Sequence, residues 1–318
     1  MKPNENKKYH GVVVPMVTPV TGTGTLDEVA ARRIIDFLLA NGVEGVFVLG
    51  TTGEAASVSQ ADRMRLVQLT VKQVAGRAQV FAGINENSFT DAVNAGNRFL
   101  GAGVDVIVSI LPSYYPMHAQ ETLPYFSGIL DRLEGPVMLY NIPATTKHVI
   151  PLETIEALMA HPQFVGLKDS ENNAARHETI LEKWSGRENF SIFIGVGALM
   201  SKMLLRGADG IVPSVGNLLP GLCHDLYESG RAGDQTRTET LEKKMMEAAT
   251  LYQRGRTLGQ SLAALKAAMS FHGLCTPAML SPLLPLTEKE ADALRQEMVY
   301  LGLTPALAPD AAIGAGKI

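Results

Sequence analysis

The sequence predicts an α/β chain folded as a (β/α)8 TIM barrel with a C-terminal helical extension, on three observations. Short β-branched runs alternate with amphipathic stretches eight times between Gly11 and Glu228, the repeat that a barrel of typically ~250 residues needs. The strand runs are almost continuously apolar, as a parallel sheet covered by helices requires. Beyond Asp234 the strand period stops and only helical periodicity remains. A doubly wound open sheet is the rival architecture, but no G-x-G-x-x-G turn follows the first apolar run.

Taken in order, Gly11–Val17 reads as a strand and Leu26–Ala40 as a helix with acidic residues in its first turn, where they complement the helix dipole. Gly45–Leu49 is strand two. The helix Ser59–Val74 follows, opened by Ser59 and Asp62 at capping spacing. Gln79–Gly83 precedes the helix Ser88–Leu100, and Val104–Ser109 precedes His118–Leu133. Pro136–Asn141 leads to Pro151–Ala160, Phe164–Lys168 to Asn172–Trp184, and Phe190–Ile194 to Ala198–Arg206. Asp209–Pro213 is strand eight, with a helix from about Leu218 to Glu228.

The barrel is thus expected over residues 1–230. The extension, residues 231–303, reads as helices Asp234–Tyr252, Ser261–Phe271 and Glu288–Tyr300, interrupted by Pro277, Pro282 and Pro285. Residues 304–318, rich in Ala, Pro and Gly, are expected to form a flexible tail.

Composition narrows the function. With 318 residues, 46% hydrophobic and 19% charged, the chain has enough apolar surface for a large core. A net charge of −4 advertises no polyanionic partner, so nucleic acid is not expected. Met1–Lys8 is polar and no apolar run approaches the ~20 residues that span a bilayer, which reads as a cytoplasmic chain without a membrane partner. Cys223 and Cys275 make no disulfide framework. The seven histidines are scattered without ligand spacing, so no metal is expected.

In such a barrel the chemistry sits where strands end. Lys168 ends the apolar run Phe-Val-Gly-Leu. Burial there lowers an ammonium pKa, and a neutral amine can form a Schiff base with a ketone; the alternative is a rim lysine paired with Asp169. Tyr140 ends the neighbouring strand and can face the same cavity as a proton carrier, or be an ordinary core tyrosine. Gly50-Thr51-Thr52-Gly53-Glu54, after strand two, offers two hydroxyls and backbone N–H groups that suit a carboxylate or phosphate, or is simply a βα turn. Tyr114 and Tyr115 read first as an interface pair.

These pieces, together with Tyr114-Tyr115-Pro116, Leu139-Tyr140-Asn141-Ile142-Pro143, Gly166-Leu167-Lys168-Asp169 and Gly207-Ala208-Asp209-Gly210-Ile211-Val212-Pro213-Ser214, resemble the dihydrodipicolinate synthase / N-acetylneuraminate lyase family of Schiff-base aldolases over roughly residues 10–300. The resemblance implies Lys168 as the Schiff-base lysine and Tyr140 as proton shuttle, with Thr51 and Tyr115 in its hydroxyl relay. It implies that the pyruvyl carboxylate lies on Thr51 and Thr52 beside Gly53, and that Gly195 and Val212 line the pocket. It further implies pyruvate as substrate, no cofactor beyond the covalent Schiff base, and a homotetramer built as a dimer of dimers in which Tyr115 enters a neighbour's site.

The chain departs from its better-known relatives at two points. The synthases carry an arginine two residues after the proline of the Tyr-Asn-x-Pro motif; this chain has Thr145. The sialic acid lyases carry an acidic pair after the strand-seven glycine; this chain has Gly197 and Ala198. The loop chemistry is closest to the family's 2-keto-3-deoxy sugar acid aldolases, with Thr145 and Ser170 holding the aldehyde's hydroxyls. Dihydrodipicolinate synthase, a Schiff-base dehydratase of such sugar acids and, remotely, a non-catalytic 2-oxo acid sensor are the alternatives.

Overall fold

The computed structural model describes residues 7–303, so the predicted tail 304–318 lies outside the described residues. Eight parallel strands close into a barrel in chain order, with β1 pairing β8. They are β1 (Gly11–Pro15), β2 (Gly45–Val48), β3 (Gln79–Ile84), β4 (Val106–Ser109), β5 (Val137–Asn141), β6 (Phe164–Asp169), β7 (Ser191–Ile194) and β8 (Gly210–Ile211). Each strand overlaps the run expected for it.

The helices between them are α1 (Glu28–Ala40), α2 (Gln60–Val74), α3 (Phe89–Gly101), α4 (Ala119–Arg132), α5 (Pro143–Thr146), α6 (Leu152–Leu158), α7 (Ala174–Trp184), α8 (Met200–Leu205) and α9 (Pro220–Ala232). Ser59 caps α2 as its spacing predicts, its hydroxyl accepting from the Asp62 N–H at 3.1 Å. The single turn α5 was not anticipated. Pro143 stands at its first position, where a fixed φ and a missing N–H suit a helix start. After α9, which crosses the expected 230/231 boundary, come α10 (Gln235–Gln253), α11 (Leu258–Phe271) and α12 (Glu288–Tyr300). Helix α10 lies across α8 and α9 and against α11, so the extension packs on the barrel.

Alternation along the strands divides the core in two. Val12, Val14, Val46, Val48, Ile107 and Leu139 face outward to the helices, within one large buried cluster. Val13, Phe47, Phe81, Met138, Tyr140 and Phe193 face inward and fill the barrel, with Phe81 and Phe193 edge to face at 6.2 Å. The interior is therefore a packed plug under the C-terminal rim, where the site lies.

The floor is closed by a residue that reads as surface in the sequence. Lys7, 2% exposed, donates to Asp209 Oδ2 and Ser185 O at 2.9 Å and to Phe190 O at 2.8 Å. All three ammonium hydrogens are thus matched, the condition under which a lysine can be buried.

Candidate active site

Lys168 and Tyr140 are register partners across β6 and β5, and both point into the barrel. A one-residue irregularity arranges this for Lys168. Phe164 pairs with Val137 but Gly166 pairs with Met138, which leaves Val165 as an extra residue on β6. Phe164 faces the outer helices. Strict alternation from Phe164 would turn Lys168 outward, and the bulge inverts that phase.

Lys168 is 4% exposed. Its Nζ lies 3.7 Å from the centre of the Tyr140 ring and 4.9 Å from that of Phe47. Phe47 was missed in the sequence because nothing distinguishes it from other inward strand residues. Among the described residues no carboxylate pairs with Lys168, and burial alone lowers its pKa from 10.5 to about 7. The alternative pairing with Asp169 is not made, because the next residue of a strand faces the other side.

Asp169, wholly buried, accepts from Asn141 Nδ2 at 3.0 and 3.1 Å, from Arg176 Nε at 2.8 Å and from the Glu171 N–H at 2.8 Å. Arg176 Nη2 also donates to Ile150 O at 2.8 Å, and the Ile150 N–H donates to Asn141 Oδ1 at 3.0 Å. This clamp joins β5 to β6 one residue beyond Tyr140 and Lys168. It too was missed, although Asn141 and Asp169 each follow a residue already singled out.

Burial, offset by the neighbouring Ser170 and Thr51 hydroxyls, pushes the Tyr140 phenol up to about 12. Ser170 Oγ stands 3.5 Å from Tyr140 Oη, at the outer limit of a hydrogen bond. Gly195 leaves the room for it: a Cβ there would collide with Ser170 Oγ. Val212, 5% exposed, closes the same inner cluster beside Tyr140.

The Gly50–Glu54 turn lies above β2. Gly53 N–H donates to Gly50 O at 3.0 Å and Glu54 N–H to Thr51 O at 3.2 Å, so the Gly53 amide is engaged within the turn. Among the described hydrogen bonds the Thr51 and Thr52 N–H groups have no partner, and both residues are half-buried. Thr51 borders both the Tyr140 phenol and a cleft of about 400 Å3. Asn85, Ser113 and Thr145 line that cleft, together with Leu262 and Leu283 of the extension. Thr145 Oγ1 leans on Ile142 O at 3.3 Å. A larger hollow of about 620 Å3 opens by Lys8, His161 and Arg187, and none of the predicted site residues lines it.

Tyr115 stands apart from these groups. It is 72% exposed and packs edge to face on Tyr114, itself 75% exposed, at 5.0 Å. Among the described residues no three His, Cys, Asp or Glu side chains converge as metal ligands, and no helix is long and apolar enough to cross a membrane.

The chain is 30% identical over 302 residues to the probable 2-dehydro-3-deoxy-D-pentonate aldolase YjhH of Escherichia coli K12, covering 94% of this chain and 99% of that protein. It is also 30% identical over 305 residues to the 4-hydroxy-tetrahydrodipicolinate synthase of Nitrosospira multiformis, with 95% and 99% covered. The structure of dihydrodipicolinate synthase from Bacteroides thetaiotaomicron superposes with a TM-score of 0.87 at 30% identity, over 93% of this chain and 99% of that one. YagE, an Escherichia coli K12 prophage protein crystallised in complex with pyruvate, gives 0.87 at 25% identity, again over 93% and 99%. Residues 8–299 match the Dihydrodipicolinate synthetase family, and the chain belongs to that family of carbon–carbon lyases.

Proposed function

We propose that this protein is a pyruvate-dependent class I aldolase that cleaves or forms a 2-keto-3-deoxy sugar acid through a Schiff base on Lys168. The observation that carries the reading is a buried lysine without a counter-ion among the described residues, its Nζ 3.7 Å from the Tyr140 ring centre. A pKa near 7 leaves a substantial share of the amine neutral and nucleophilic at physiological pH. YagE, similar in fold and sequence, was crystallised in complex with pyruvate, which supports a 2-oxo acid here.

In the cleavage direction Lys168 Nζ adds to the C2 ketone, and loss of water gives the iminium. Tyr140, with Thr51 in its relay, gives its proton to the departing carbinolamine hydroxyl and, as the phenolate so formed, takes the proton of the C4 hydroxyl. The C3–C4 bond breaks, its electron pair passes into the iminium to give an enamine, and the aldehyde leaves. Protonation at C3 and hydrolysis release pyruvate and restore the lysine. The Thr51 and Thr52 amides suit the carboxylate of the keto acid, since unpartnered backbone N–H groups favour an anion. Gly53 shapes that turn, while Gly195 and Val212 border the reacting carbons. No metal or organic cofactor enters these steps.

Thr145, Ser170 and the cleft's Asn85 and Ser113 provide neutral hydrogen-bonding groups for a hydroxylated aldehyde. A second reading, condensation of pyruvate with aspartate semialdehyde, draws on the many relatives named 4-hydroxy-tetrahydrodipicolinate synthase. With Thr145 in place of an arginine it lacks the bidentate carboxylate grip. The exposed Tyr114–Tyr115 pair supports a homotetramer in which Tyr115 completes a neighbour's relay.

The test is product analysis. The enzyme is offered 2-keto-3-deoxy pentonates and hexonates, and separately pyruvate with aspartate semialdehyde. Release of pyruvate and a sugar aldehyde is expected. Turnover only with aspartate semialdehyde, or loss of water without aldehyde release, would replace the aldolase reading by the synthase or the dehydratase.

A further inference from the structure

Glu54 closes the turn that carries Thr51 and Thr52, yet the reaction above gives it no task. Its side chain is 1% exposed and pairs with Lys266, also 1% exposed, from α11 of the C-terminal extension. Lys266 Nζ donates further to Ala278 O at 2.9 Å, and Glu54 Oε2 accepts from the Leu280 N–H at 2.8 Å. One carboxylate thus joins the turn above β2 to α11 and to the chain after it.

The turn needs such a hold. Glu54 has φ +53°, and Leu49, at its other end, has φ +58°. Side chains rarely adopt this left-handed region, and it persists where the surroundings impose it. At Leu49 the carbonyl is held by Asn85 Nδ2 at 2.7 Å. At Glu54 the hold is the pair with Lys266. Between these two fixed ends lie the N–H groups of Thr51 and Thr52, which have no partner among the described residues. A fully buried ion pair is a poor source of stability, because desolvation offsets the attraction and apolar residues of similar volume serve as well or better. Stability alone therefore does not account for this pair.

We propose that Glu54 and Lys266 are positioning residues that set the Thr51 and Thr52 amides for the substrate carboxylate, so that the C-terminal extension takes part in binding the 2-oxo acid. This rests on the Schiff-base reading above. It predicts a loss that appears in affinity for pyruvate more than in the reaction at saturation, since neither residue touches the reacting atoms.

The experiment uses the full chain and follows borohydride-trapped adduct against pyruvate concentration, alongside thermal unfolding. In the double variant Glu54→Leu/Lys266→Met both charges leave together, so the fold is expected to melt close to the parent. Half-maximal trapping should need at least ten-fold more pyruvate, with little change in the saturated yield. Glu54→Gln keeps the volume and an acceptor for the Leu280 N–H, and provides the same comparison if the double variant does not fold; here a three-fold or greater rise is expected. A folded variant with the parent's pyruvate dependence overturns the inference. A parent that traps no pyruvate at any concentration removes the Schiff-base reading itself and the inference with it, before any variant is compared.

Discussion

Lys168 and Tyr140 face each other across adjacent strands, and the amine sits over the phenol ring at 3.7 Å from its centre. The ring's π-face offers the ammonium some attraction, but it does not replace a carboxylate, and burial still brings the lysine down to about pH 7. Unfolding raises that pKa to 10.5. Between these values the unfolded chain binds more protons than the folded one, so stability rises with pH across that window and the charged form is a burden below it. Lys168→Met should therefore melt higher than the parent at pH 6–7, by a few degrees, and lose the rise in melting temperature between pH 7 and 10. Thermal unfolding at several pH values checks both. A variant that melts lower would mean the lysine is stabilised by contacts outweighing its desolvation.

The same pKa sets the pH dependence of the chemistry. Imine formation with a 2-oxo acid should rise with pH as Lys168 loses its proton, with a midpoint near 7, and level off above it. The phenol, held near 12, is protonated in the free enzyme across this range and enters the reaction as an acid. Single-turnover trapping rates between pH 5 and 9 give the profile, and a rise still continuing at pH 9 would show that the amine is not perturbed.

Tyr140→Phe removes the proton carrier while keeping the ring beneath Lys168. Turnover is expected to fall by roughly 10²–10⁴-fold, with the protein folded and Lys168 still reactive toward pyruvate under borohydride. Full activity in this variant would take the tyrosine out of the reaction.

Gly195→Ala tests the crowding beside the phenol. The added methyl displaces Ser170, so kcat/KM for the sugar acid should fall by roughly ten-fold or more, about 1.4 kcal/mol or above. Ser170→Ala keeps the space open and should cost less. Equal activity of Gly195→Ala and the parent would show that the Ser170 hydroxyl has no part in binding or proton transfer.

The clamp behind the pair is the stability prediction. Arg176→Met leaves the buried Asp169 carboxylate without its cation, and removing one partner of a buried pair costs about 3–5 kcal/mol. Asp169→Asn/Arg176→Met should recover part of that loss. Denaturant unfolding of the two variants measures the difference, and indistinguishable midpoints would show that Asn141 and the Glu171 amide suffice for Asp169.

Why some of this was legible in the sequence and some was not is a matter of range. The apolar runs ending in Tyr140 and Lys168 mark strand ends because strand period and burial are local properties. The inward phase of Lys168 is not local: it depends on the bulge at Val165, which no alternation in Phe164–Lys168 reveals. Lys7 reads as part of a polar leader, yet its three acceptors are more than 170 residues away in the chain. Lys266 gives a fainter signal, one cation inside the apolar stretch Leu262–Met269, and its partner Glu54 lies on another element altogether. Tyr115 is exposed in the single chain, where no contact with Thr51 or Tyr140 tests its expected relay.

The central claim is that Lys168 forms an imine with a 2-oxo acid. Its most direct measurement is reduction with borohydride in the presence of pyruvate, followed by intact and peptide mass spectrometry. The account predicts one reduced pyruvyl adduct per chain, carried by the peptide that contains Lys168 and absent from Lys168→Ala. A folded protein that acquires no adduct, or acquires it on another lysine, contradicts the account.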